Sequence, residues 1–269
     1  SPVPVDVLSA EDISKTGTDD LLMQLQGSIP SLNVHLQPIS DAASMIRPAN
    51  LRGLSADSTL ITTNGKRRHH ASVIAFQGGG VNDGSQGADI SVIPAIALKR
   101  VEVLRDGASA QYGSDAIAGV INFVLDDISE GGSLSYNMGE YTEGDGATTT
   151  IAGKYGMPLG QDGFVTTSFQ IRQADDTSRS AQRPDAAALI AAGNSAVANP
   201  AQIWGAPKID DDVTFFMNAG VTNSDGSESY MFGNYSERDV DGGFYYRNPD
   251  GRSGVFTIGD YRAVGNVDG

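Results

Sequence analysis

The chain has 269 residues, no cysteine, 33 glycines and a formal charge of −15 at pH 7. Without cysteine, a disulfide framework and a thiolate-ligated metal site are excluded, although no compartment is. Carboxylates crowd the part after residue 125, where 21 face 9 cations, so phosphate neutralisation is a poor basis for nucleic-acid binding.

Frequent glycine without a collagen period indicates turns and bulges, hence β structure with many reversals. Ser1-Pro2-Val3-Pro4 is strand-like and carries neither the basic nor the apolar region of a secretory signal. No run of about 18 apolar residues offers a transmembrane helix, but the strands of a membrane barrel give a weaker, alternating signal.

Residues 1–125 read as a small mixed α/β domain. Val3, Val5 and Val7 alternate as a first strand. Thr18 can N-cap a helix whose first turn holds Asp19 and Asp20, favourable beside the positive end of the dipole. Leu21, Leu22 and Leu25 form its apolar face, and Pro30 closes it. Residues 33–37, with His35, and 46–54 read as short strands. A further strand, 59–63, runs into Asn64-Gly65, a strong hairpin signal. A glycine-rich excursion covers 77–87, and Ser91-Val-Ile-Pro94 leads out of it. Over 99–125 a strand, a glycine turn at Asp106-Gly107, a helical turn from Ala108 to Tyr112 and a β-branched strand follow one another.

Beyond residue 126 the texture changes. Segments 132–141, 147–155, 163–172, 212–221 and 228–238 each span roughly ten alternating residues, the length of a tilted transmembrane strand. Val165, Thr167, Phe169 and Ile171 share one face of the third, opposite Thr166, Ser168, Gln170 and Arg172. In the fourth, Val213, Phe215, Met217, Ala219 and Val221 form the apolar face, and Phe216 interrupts the polar one. Connections 156–162 and 222–227 are short; those over 173–211 and from 239 onward are long and polar. Acidic residues in these loops can attract cations, but solvation of the loops is the plainer role.

Several segments resemble, in order, the plug domain of TonB-dependent outer-membrane receptors. The fullest match is Glu102-Val-Leu-Arg105, Gly107, Ala110, Tyr112-Gly113, Gly119 and Val120-Ile-Asn122. Pro4-Val5-Asp-Val-Leu-Ser9, Ile29-Pro30, Arg47-Pro-Ala-Asn-Leu-Arg52-Gly53-Leu54 and Asn64-Gly65-Lys66-Arg67-Arg68-His69 add to it. Asp106 departs from the common pattern, which has glycine directly after the arginine. The resemblance implies an α+β plug domain over residues 1–126, followed over 127–269 by antiparallel transmembrane β-barrel strands. About five strands make an incomplete barrel, since a plugged lumen is associated with about 22. The chain is therefore expected to be part of something longer, without the family's N-terminal coupling segment.

The same resemblance implies a place in the Gram-negative outer membrane, with the plug inside the barrel lumen and lipid around the wall. It implies energy-coupled uptake of a scarce nutrient, a ferric siderophore or similar metal chelate by default, with cobalamin, haem or oligosaccharide as alternatives. TonB and its inner-membrane motor complex would be the partners, with no nucleic acid, no cofactor and no enzyme chemistry. A secreted or surface β-rich binding protein of adhesin type is the rival reading, and a glycan-active hydrolase a distant third.

Arg52 and Arg105 fall where the resemblance places plug arginines that latch onto barrel carboxylates; Glu102 or Asp57 are alternative partners inside the plug. Lys66 to His70 is the only basic run. Arg67, Arg68, His69 and His70 can hold an anionic chelate by charge-assisted hydrogen bonds, or simply solvate a turn or bridge plug to wall. Adjacent histidines on a strand point to opposite faces, which makes His69 and His70 a poor bidentate metal pair. Phe76 and Gln77, before three glycines, resemble a ligand-facing apex. Asp210-Asp211-Asp212 and Asp225-Gly226 lack the spacing of a calcium loop, and no nucleophile elbow occurs.

Overall fold

A computed structural model describes residues 5–18, 20–34, 46–75, 80–242, 246 and 248. The first part consists of β1 (Val5–Ser9), α1 (Ala10–Ser14), α2 (Leu21–Ser28), β2 (Leu32–Val34), β3 (Ala49–Leu51), β4 (Thr59–Thr63), β5 (Lys66–Arg67), β6 (Leu98–Leu104), α3 (Ser109–Tyr112) and β7 (Gly119–Leu125). Five of these strands form one mixed sheet in the order β1-β6-β7-β4-β5, with β4 and β7 parallel. β2 and β3 make a separate antiparallel pair.

Local chemistry explains the punctuation. Ser9 and Asp12 form a reciprocal capping box that starts α1 directly after β1. The cap of α2 is Asp20 rather than Thr18: its carboxylate accepts from the Leu22 and Met23 amides at 3.0 and 3.2 Å. Thr18 instead accepts from the Asp20 amide. A carboxylate is the better terminus here, because it also opposes the helix dipole. Asn64 and Gly65 both have positive φ (48° and 73°), as the two-residue hairpin between β4 and β5 requires. The strand expected over 46–54 shortens to β3, and that over 33–37 is seen as β2 up to Val34; residues 35–37 and Val3 lie outside the described residues. The core gathers Ile13, Leu22, Leu25, Leu51, Ile93, Val101, Ile121 and Phe123 under the sheet.

The second part is a meander of long strands: β8 (Gly132–Gly139), β9 (Thr148–Pro158), β10 (Gly163–Ala174), β11 (Lys208–Thr222) and β12 (Glu228–Asp241). Each pairs antiparallel with the next, and among the described residues the sheet does not close on itself. Lengths of 11, 12, 15 and 14 residues in β9 to β12 exceed the roughly ten read from the sequence and suffice for a tilted membrane crossing. No helix among the described residues is long and apolar enough to cross a membrane. The long connection before β11 contains a helix that alternation could not show, α4 (Pro184–Ala191).

The three inner strands, β9 to β11, are inverted relative to a water-soluble sheet. Thr150, Thr166, Ser168, Asp212, Thr214 and Asn218 are buried, whereas Ile151, Tyr155, Phe169, Ile171, Val213 and Phe215 are exposed. Apolar side chains outward and polar side chains inward are the pattern of a membrane barrel wall. The first part packs on the polar face.

Candidate functional site

Inward-facing wall residues meet the first part at two levels. Near the end with the short turns, Asn218 of β11 donates to the Asp126 carbonyl at 3.0 Å and accepts from the Asn64 side chain at 3.2 Å. Thr166 of β10 donates to the Ile128 carbonyl at 2.8 Å, and Lys154 of β9 pairs with Asp126. Lys66 lies 5.8 Å from the ring centre of Tyr230, two positions into β12. The segment linking β7 to β8 is thus tied to three wall strands.

Phe216 supplies the apolar contact. Flanked on β11 by outward residues, it is 2% exposed and belongs to the core that Leu98, Val101 and Phe123 form. The one residue that broke the polar face of its strand is the one that enters the other domain.

Toward the end with the long loops, Arg238 of β12 and Asp212 of β11 stand opposite each other in register. Their side chains are 16% and 4% exposed, and their closest atoms are 2.6 Å apart. Arg238 also donates to the Ser91 hydroxyl at 2.9 Å and to the Ser91 carbonyl at 3.0 Å. No motif or spacing in the sequence marks Arg238 or Ser91 for this role.

A further shielded ion pair, Arg47 with Asp20, sits at the start of α2. Burial raises the pKa of Asp20, but the charge and hydrogen bond of Arg47 and the charge of Arg172 in β10 outweigh it, leaving the carboxyl below its ordinary range. A group with a depressed folded pKa stabilises above its unfolded value, about 3.9, and loses that contribution as pH falls through the folded value. Asp20→Asn keeps the helix cap and removes the charge. Its stability is expected to be lower at neutral pH and to fall less steeply below about pH 4. Denaturation midpoints measured against pH check this; acid limbs of equal slope would contradict it.

The predicted latch residues find partners within the first part. Arg105 pairs with Asp6 of β1, not with Glu102 or Asp57. Glu102 accepts from Arg100 at 2.7 Å and from Asn122 at 2.9 Å. Burial raises the Glu102 pKa, yet these two hydrogen bonds prevail and lower it. Asp57 accepts from the Gln86 amide. Arg52 stands 4.0 Å from Asp106, both well solvated. Asp106, the departure from the common motif, is therefore the carboxylate that the described residues bring to Arg52.

The basic run divides. Arg67 pairs with Asp115 and donates to the Tyr112 carbonyl at 3.2 Å. Arg68 is buried and donates to the Asp89 carbonyl at 3.0 Å. Burial lowers its pKa, and the charge of Asp89 opposes that. His69 and His70 are exposed, and His70 lines a shallow crevice with Asp57, Thr59 and Gly87. No group of metal-ligating side chains occurs among the described residues. Phe76 and Gln77 lie outside them. The aspartates considered for calcium serve other ends: Asp210 pairs with Lys208, Asp212 with Arg238, and Asp225 caps its own turn through Ser227.

Residues 1–120 match the family model described as TonB-dependent Receptor Plug Domain. Over 120 residues, 45% of this chain, the sequence is 32% identical to the ferric enterobactin receptor of Pseudomonas aeruginosa and 31% identical to that organism's ferric enterobactin receptor PirA. The matched segment spans 16% of the length of each. Among solved structures, the Q482A mutant of the ferric enterobactin receptor PfeA from P. aeruginosa superposes with a TM-score of 0.67 at 20% identity, covering 89% of this chain and 34% of that one. The siderophore receptor PirA from Acinetobacter baumannii does so at 0.59 and 19%, covering 88% and 32%. The copper transporter OprC gives 0.58 at 16% identity, covering 90% and 32%. The likeness extends past residue 120, so the wall strands share the fold as well as the first domain.

Proposed function

With residues 1–120 belonging to the TonB-dependent receptor plug domain family, we propose that this chain is the plug and the first barrel strands of an outer-membrane receptor for a ferric siderophore. The observation that carries this is the plug packed on the polar face of strands whose other face is apolar. Such a wall needs lipid outside and a filled lumen inside. The named relatives support an iron chelate as cargo. The plug-family match lends no support to an adhesin.

In this reading the chain carries out no covalent chemistry. Cargo enters from the side of the long loops, and TonB with its inner-membrane motor does work on the plug from the short-turn side. Arg67 and Arg68 serve the plug's own structure. The exposed His69 and His70, together with Phe76 and Gln77, are the candidates for contact with an anionic chelate. Arg52 and Arg105 are the candidates for exchange between plug and barrel carboxylates.

Cells producing the full-length receptor as their only siderophore receptor are expected to accumulate radiolabelled iron from a catecholate siderophore, and to stop when the proton gradient is collapsed. Uptake that persists without the gradient would refute energy coupling. Absence of uptake for this chelate beside uptake of haem, cobalamin or an oligosaccharide would reassign the cargo.

A further inference from the structure

We propose that Arg238, oriented by Asp212, is a clasp by which the wall holds one defined segment of the plug, residues 89–91, and that this clasp must open whenever the plug moves. The inference rests on the transport reading only for its consequence, since the clasp itself is geometric.

The guanidinium fork serves Asp212 and Ser91 at once. Nε donates to Asp212 Oδ2 at 2.8 Å and Nη2 stands 2.6 Å from the same oxygen, while Nη1 and Nη2 donate to the Ser91 hydroxyl and carbonyl. The ladder between β11 and β12 places Arg238 directly opposite Asp212, so the wall presents the fork ready-made. On the plug side Ser91 is equally fixed: its amide and hydroxyl both donate to Asp89 Oδ1, at 2.9 and 2.6 Å. The Asp89 carbonyl in turn accepts from buried Arg68. A continuous series of hydrogen bonds therefore runs from Asp212 through Arg238, Ser91 and Asp89 to Arg68. It joins the wall to the basic run that begins at the β4–β5 hairpin.

A buried ion pair is weak evidence for stability, because desolvation offsets most of its attraction. Asp212 alone would satisfy the charge of Arg238. Two further donations reach a hydroxyl and a carbonyl of the other domain, which makes position, not strength, the property selected. Planarity matters too: arginine can serve two acceptors at fixed angles, whereas a lysine ammonium on a flexible stem cannot reproduce the fork.

The test uses the full-length receptor in isolated outer membranes without an energy source or cargo. Ile93, 1% exposed and two residues beyond Ser91, is replaced by cysteine, and the rate of its reaction with a small maleimide is measured. Adding Ser91→Ala, which leaves the wall pair intact, is expected to raise that rate about tenfold, as loss of a hydrogen bond to a charged group implies. Arg238→Lys is expected to raise it at least as much. A cysteine at exposed Ser72 should label equally in every variant, and the unfolding midpoint of the whole receptor should not move, which separates a local clasp from general loosening. An unchanged Ile93→Cys rate in Ser91→Ala overturns the proposal even if Arg238→Lys fails to reach the membrane. Faster labelling in a receptor that imports no chelate would leave the clasp standing and remove the transport reading.

Discussion

Phe216→Ala is expected to destabilise the plug by about 3–5 kcal/mol, the range for truncating a buried aromatic side chain. The residue stands on β11 of the wall but is 2% exposed inside the plug core. Truncation leaves a void that neither domain can easily fill, because the wall ladder fixes the backbone on one side and the plug sheet fixes it on the other. The neighbouring Phe215→Ala provides the control. Its side chain is 43% exposed on the outward face, so its removal should leave the plug in place. Protection of the plug against a protease, followed through a urea titration of the full-length receptor in detergent, compares the two. Equal midpoints for the two alanine variants would show that Phe216 does not join the domains.

Gly119→Ala is expected to prevent the plug from folding at all. Gly119 opens β7 with φ of +146°, and an added Cβ would lie 2.1 Å from the Leu104 carbonyl oxygen and 2.8 Å from a Leu51 methyl. The first of these is backbone of the neighbouring strand, so relief requires separating β6 from β7 at Leu104↔Val120. Strain in φ alone costs on the order of 1–3 kcal/mol, and the overlap adds to it. Gly107, in the same motif, has only the Ile117 carbonyl within reach of an added Cβ, at an ordinary 3.6 Å. Gly107→Ala should therefore accumulate in the outer membrane as the parent does, while Gly119→Ala is degraded. Accumulation of both at parental levels would contradict the clash.

Much of the architecture was legible along the chain because its causes are local. Asn64-Gly65 specifies its turn through the backbone freedom of two residues. The five wall strands follow from period-two alternation, which any strand with two different surroundings must show. The helix start at Asp20 was nearly legible; Thr18, Asp19 and Asp20 all have capping side chains. Only the path of the backbone decides which carboxylate or hydroxyl reaches the Leu22 and Met23 amides. Helix α4 gave no such signal, since its eight residues, four of them alanine, show little amphipathic contrast.

Side-chain pairing was the part that could not be read. The sequence leaves Glu102, Asp57 and a later wall strand open to Arg105, yet its partner is Asp6 on β1, because β1 and β6 lie antiparallel with Val5 opposite Leu104. Phe216 did leave a trace as an apolar residue on a polar face, though nothing in the sequence says what lies beyond that face.

What the sequence by itself determined is most of the strands, the plug motif and the alternation of polarity in the strands after residue 126, all set by neighbours within a few positions. What only the tertiary structure decided is which charges and which core residues the two domains share. Arg238 meets Ser91 across 147 positions, and no local rule selects one arginine among many at that separation. The selection comes from strand register and burial. In a low-dielectric interface each donor must find an acceptor, and the pairing that does so is a property of the assembled wall and plug.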